Sequence, residues 1–87
     1  MNIYVGNLGH KVNKYDLKEI FEEYGKVISA KIITDKLTGK SKGFAFVEMD
    51  NIHEAKNAIN ELNGSTYKMR NIVVNEAKAK ESNLYRT

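Results

Sequence analysis

Phe44 and Phe46 stand two residues apart in the run Lys42-Gly43-Phe44-Ala45-Phe46-Val47-Glu48-Met49. On a strand, alternate side chains leave opposite faces. Both rings then share a face with Glu48, while Ala45, Val47 and Met49 share the other. Ala, Val and Met make an ordinary core face. A second apolar face must either be buried as well or present its rings to something flat. The lead-in, Asp35 to Ser41, carries Lys36 and Lys40, and Lys42 opens the run itself. Rings beside fixed positive charge suit a single-stranded nucleic acid: bases stack on the rings and phosphates meet the lysines.

A third ring, Tyr4, lies near the start of the chain in Ile3-Tyr4-Val5-Gly6-Asn7-Leu8. Together the octapeptide and this hexapeptide resemble the two signatures of the RNA recognition motif family. The octapeptide departs at Met49, where the family has Phe or Tyr. That position faces inward, so the change touches core packing and not the ring face. The resemblance spans roughly residues 2–77. It implies that Tyr4, Phe44 and Phe46 stack bases and that Lys42 pairs with a phosphate. Lys31 and Asn75 are further candidates on neighbouring strands of the same face, and Asn can read a base edge with one donor and one acceptor. Arg70, Lys78, Lys36 and Lys40 sit at the rims. Asn7 matches the hexapeptide, with a local role in its loop.

The elements that would position these residues follow from pattern. Residues 2–6 alternate, with Ile3 and Val5 on one face and Asn2, Tyr4 and Gly6 on the other. Residues 13–24 predict a helix with Leu17, Ile20, Phe21 and Tyr24 in one stripe. Asn13 is its expected N-cap, Asp16 lies in its first turn, and Val12 and Leu17 suit a hydrophobic staple. Gly25 is expected to end it in the left-handed conformation. The β-branched run 27–34 predicts a second strand, with Ala30 and Ile32 inward and Lys31 and Ile33 beside the rings. A turn around Thr38-Gly39 leads to the octapeptide strand. Residues 52–63 predict a second helix with Ala55, Ala58, Ile59 and Leu62 inward, capped by Asn51 with Glu54 in a capping box. After Asn63-Gly64 and a turn, residues 72–75 predict a fourth strand, Ile72 and Val74 inward, Val73 and Asn75 outward.

The order βαββαβ, with right-handed crossovers, puts both helices on one side of one antiparallel sheet. The fold class is therefore α+β, ferredoxin-like. Residues 1–77 make the domain, and residues 78–87 form a polar tail in which Lys78, Lys80 and Tyr85 could reach bound RNA. Nothing is left to cover the second sheet face, which is the argument for a binding surface there.

Composition bounds the rest. The chain has 87 residues, a net charge of +3, no Cys and no Trp. That is one small domain, with no disulfide framework and no thiolate metal site. No apolar run approaches the ~20 residues of a membrane span, and the strand pattern begins without a basic, apolar leader. The cytoplasm, or an equivalent reducing compartment, is the expected location. His10 and His53 show no metal-ligand spacing, and the acidic residues Asp16, Glu19, Glu22, Glu23, Glu54 and Glu61 fall on helices away from the ring face. No cofactor, small-molecule substrate or catalysis is expected. The partner is single-stranded RNA, with single-stranded DNA bound more weakly, and the protein is expected to be a monomer, resembling free-standing bacterial or organellar members of the family. Two other readings stay open. The same architecture carries small phosphatases, which would need an arginine and donors in the loop after the first strand; here that loop has Lys11 and no Arg. Some similar domains use a face for protein partners instead, which loss of the sheet aromatics would favour.

Overall fold

The computed structural model describes residues 1–77. Its elements are β1 (Asn2–Gly6), α1 (Lys14–Glu22), β2 (Val27–Thr34), β3 (Ser41–Met49), α2 (Ile52–Leu62), β4 (Thr66–Tyr67), β5 (Arg70–Asn71) and β6 (Val73–Glu76). Four strands form one antiparallel sheet in the order β2-β3-β1-β6. The two signature segments are therefore its central pair. The expected tail, 78–87, lies outside the described residues, and with it Lys78, Lys80 and Tyr85.

The core follows the alternation. In register, Ile3 meets Val47, and Val5 lies between Ala45 and Val74. These side chains are buried with Met49 and Ile72 against Leu17 and Phe21 of α1 and Ala55 and Ala58 of α2. Alanines on α2 let the helix lie close to the sheet. Met49 is fully buried, so the departure from the octapeptide pattern is absorbed by the core.

Local chemistry sets the ends. Asn13 caps α1 reciprocally. Its Oδ1 accepts from the Asp16 N–H at 3.0 Å, and Asp16 Oδ2 accepts from the Asn13 N–H at 3.1 Å. The Asp16 carboxyl is held below its ordinary range by that backbone bond and by Lys68. Asn51 caps α2 by accepting from the Glu54 N–H at 2.9 Å, but the return half of the expected capping box is not formed. The Glu54 carboxylate lies against Gly25, where a Cβ would run into it. Gly25 is thus required for close approach, and the expectation of a left-handed φ there is corrected. The last turn of α1 tightens instead, with the Tyr24 N–H donating to the Phe21 carbonyl at 3.0 Å.

Two further departures come from pairing. Strict alternation from Ala30 and Ile32 would turn Ile28 inward. A register shift between Val27 and Ser29 buries Val27 opposite Met49 and leaves Ile28 half exposed. Ahead of the last strand, the expected simple turn is a small hairpin, β4 paired with β5. Its two-residue loop, Lys68-Met69, has positive φ at both positions. Lys68 Nζ bonds Asp16 Oδ2 at 3.0 Å and ties the hairpin to the start of α1.

Candidate nucleic-acid interface

The side of the sheet opposite the helices carries a straight row of side chains. Lys31 on β2 pairs with Phe46 on β3, Phe46 with Tyr4 on β1, and Tyr4 with Asn75 on β6. Cross-strand partners share a face. Four of the expected residues thus come from four strands into one line. Phe44 stands one step along β3, beside Tyr4.

The three rings form a cluster. Their centroids lie 5.9 Å (Tyr4–Phe44), 6.0 Å (Tyr4–Phe46) and 6.2 Å (Phe44–Phe46) apart, at tilted or edge-on angles. Each ring is half-buried, because it leans on its neighbours and on the sheet. The expectation of freely exposed rings is adjusted to that extent. The cluster is a fixed platform, and fixing it beforehand lowers the ordering cost of any stack made on it.

Glycine shapes the platform twice. Gly6 lies under the Tyr4 ring, and a Cβ there would sit 2.5 Å from the phenol oxygen and 2.9 Å from two ring carbons. The missing side chain lets the ring lie down along its own strand. Gly43, within β3, has φ +87°, which L-residues with a Cβ resist. Its carbonyl accepts from the Leu8 N–H at 2.8 Å, joining the octapeptide to the hexapeptide just beyond β1.

Charge is placed at one end. Lys42 is exposed and lines one groove with Ile33, Phe44 and Phe46 and a second with Tyr4, Asn7, His10 and Arg70. The β2–β3 turn that carries Lys36 and Lys40 is held by Asp35, whose carboxylate accepts from the Leu37 N–H at 2.8 Å and the Thr38 N–H at 3.2 Å. Those two bonds depress the Asp35 carboxyl, with a smaller contribution from Lys42. At the far end of the sheet, Glu48 pairs in register with Asn2 and Ser29. The open face therefore runs from basic to acidic along β3. Val73, 41% exposed on β6, adds apolar surface beside Gly6.

One arrangement was not legible from spacing. Arg70, expected at a rim, reaches the loop after β1. Its Nε donates to the Asn7 carbonyl at 3.2 Å and its Nη2 to Asn7 Oδ1 at 2.9 Å. The loop has no arginine of its own, yet the fold supplies one from β5. Among the described residues, no cluster of His, Cys, Asp and Glu could hold a metal ion.

Comparison with known proteins places this geometry. The family model for the RNA recognition motif matches residues 3–73. RbpD of Nostoc sp., RNA-binding by its name, is 44% identical over 81 residues, covering 93% of this chain and 86% of that protein. The chloroplastic 29 kDa ribonucleoprotein of Arabidopsis thaliana is 45% identical over 90% of this chain, which spans 23% of that protein. Among solved structures, the crystal structure of RNA-binding protein PG1 superposes with a TM-score of 0.87 at 48% identity, covering 88% of this chain and 93% of that one. The Sex-lethal protein in its RNA complex gives a TM-score of 0.82 at 36% identity, over 87% of this chain and 47% of that one.

Proposed function

The chain belongs to the RNA recognition motif family, and from that membership we propose that it binds single-stranded RNA across the open face of its sheet, as a binding module and not an enzyme. The observation that carries this reading is the row Lys31–Phe46–Tyr4–Asn75 with Phe44 alongside. Bases stack on Tyr4, Phe44 and Phe46; Lys42 and Lys31 meet phosphates; Asn75, in register beside Tyr4, offers a donor and an acceptor to a base edge. The relative seen in complex with RNA and the relatives named for RNA binding support the ligand class. One sheet of this size reads a few nucleotides, so affinity is modest and RNA is favoured over DNA only weakly, through the 2′-OH. The protein acts as a monomer in a post-transcriptional role. The cytoplasm is the proposed compartment; chloroplastic relatives make an organelle interior the alternative.

Tyrosine fluorescence tests the reading, because the chain has no Trp. Short RNA should quench the Tyr4 contribution, and Tyr4→Phe should bind with that quench removed. Salt titration then separates the two kinds of contact. The log–log slope should be shallow, roughly −1 to −3 at about −0.7 per phosphate on a single strand. Lys42→Ala should lower it by one contact. Phe46→Ala should cost ~1–3 kcal/mol at every salt with the slope unchanged. A folded protein that binds no RNA, or a Phe46→Ala variant that alters only the slope, would refute the assignment.

A further inference from the structure

Asn7 and Arg70 are 63 positions apart and hold one another at the end of β1. Asn7 has φ +58°, a left-handed conformation in which Asn is tolerated. Its carbonyl and its Oδ1 take the Nε–H and an Nη2–H of Arg70, the two donors on one side of the guanidinium. The amide itself is oriented from the other direction, because Asn7 Nδ2 donates to the Asn71 carbonyl at 2.7 Å. That leaves the end of the guanidinium, with the Nη1 donors and the second Nη2–H, pointing away from Asn7. Two parallel N–H groups on that edge match two oxygens of one phosphate. The groove beside it is lined by Tyr4, Asn7, His10, Lys42, Phe44 and Arg70 among others, and no carboxylate lines it. Among the described residues, the ion pair formed is Lys68–Asp16; Arg70 and Lys42 bring two cations to the same groove, and Lys42 has only a weak, longer-range attraction to Asp35 outside it.

We propose that Asn7 is a positioning residue: it aims the free edge of Arg70, together with Lys42, at a single backbone phosphate of the strand whose base lies on Tyr4 and Phe44. This deepens the RNA-binding reading and rests on it. A base edge would satisfy the fork but leave the Lys42 charge unanswered; a phosphate answers both. The left-handed Asn7 and its bond to Asn71 then have a purpose beyond the loop, since they hold a long, rotamer-rich side chain in place before ligand arrives.

The test uses a substitution that changes no charge. Asn7→Gly keeps the left-handed backbone and the carbonyl and removes only the amide. It should weaken binding of a short single-stranded RNA several-fold and make the salt slope shallower by up to ~0.7, one phosphate's worth. Arg70→Lys, which keeps the charge but loses the fork and changes no residue of the β1 loop, should do the same. In an Arg70→Ala background, Asn7→Gly should have no further effect. RNAs carrying one neutral methylphosphonate should show one position where the substitution weakens wild type more than it weakens Arg70→Ala, in which Lys42 alone still meets that phosphate. The proposal is overturned if Asn7→Gly leaves affinity and slope as in wild type, if its effect adds to that of Arg70→Ala, or if losses appear only in guanine-containing RNAs, the mark of a base contact. Absence of any RNA binding by wild type would remove the functional reading itself, a result distinct from all of these.

Discussion

Gly6→Ala isolates the geometry of the ring platform. A Cβ at this position would lie 2.5 Å from the Tyr4 phenol oxygen and 2.9 Å from Cε2 and Cζ. Ordinary carbon contacts need about 3.5–4.0 Å, so the ring must lift by roughly an ångström. The backbone raises no objection, because Gly6 is not among the residues of positive φ. The ring is the far end of a flexible side chain, so the fold should absorb the change. Replacing a strand glycine with alanine gains roughly 0.5–1 kcal/mol of backbone entropy. An off-rotamer tyrosine costs roughly 0.5–1.5 kcal/mol. Net stability should therefore move by less than about 1 kcal/mol. Binding should suffer more. Lifting Tyr4 breaks its 5.9 and 6.0 Å contacts with Phe44 and Phe46 and tilts the surface on which a base would stack. A full stack is worth ~1–3 kcal/mol, and a displaced ring should forfeit about half of it, near 1 kcal/mol or roughly fivefold in Kd. Fluorescence anisotropy with a labelled short RNA, alongside thermal melts, measures both quantities. In a Tyr4→Ala background the same substitution should have no effect on affinity. If Gly6→Ala weakens binding equally with and without the Tyr4 ring, or leaves binding untouched, the platform argument fails.

Other perturbations probe the frame around that face. Val47→Ala truncates a side chain that is 1% exposed, and should lower stability by about 1–3 kcal/mol while affinity changes only as folding does; chemical denaturation with parallel binding assays separates the two. Met69→Gly relieves φ +70° in the β4–β5 loop; the left-handed penalty of about 1–2 kcal/mol exceeds glycine's unfolded-state cost of about 0.4–1, so the melting temperature should rise, and a fall would mean that Met69 makes contacts its 95% exposure does not suggest. The Asp16 and Asp35 carboxyls titrate lower in the folded chain than in the unfolded one, so their stabilisation is complete above about pH 4 and is lost as pH falls through the depressed folded values. Melts between pH 2 and about pH 6 should show this loss, and the Asp16→Ala/Asp35→Ala pair should flatten the curve in that window.

The sequence by itself determined the two helices and the four strands of the main sheet, the faces of the central strands and the ring triad; the small β4–β5 hairpin was read only as a turn. Period-two alternation around Ile3, Val5, Ala45 and Val47 leaves one inward assignment, since a slip by one residue would put Phe44 and Phe46 in the core and those side chains in water. The cap at Asn13 was legible for the same kind of reason: its partners are three residues away. What tertiary structure alone decided depends on residues far apart in the chain. Gly25 reads as a helix terminator until Glu54 of the second helix is seen against it. Alternation from Ala30 and Ile32 alone would carry Ile28 inward; a register shift beside Met49 buries Val27 there and turns Ile28 out. The pairing of β1 with both β3 and β6 converts Lys31, Phe46, Tyr4 and Asn75, scattered over 72 positions, into one row. The grip of Asn7 on Arg70 has no local signature at all. Both are polar residues in loop-like stretches, and only the docking of a short hairpin beside the end of β1 brings a guanidinium to a loop that has none.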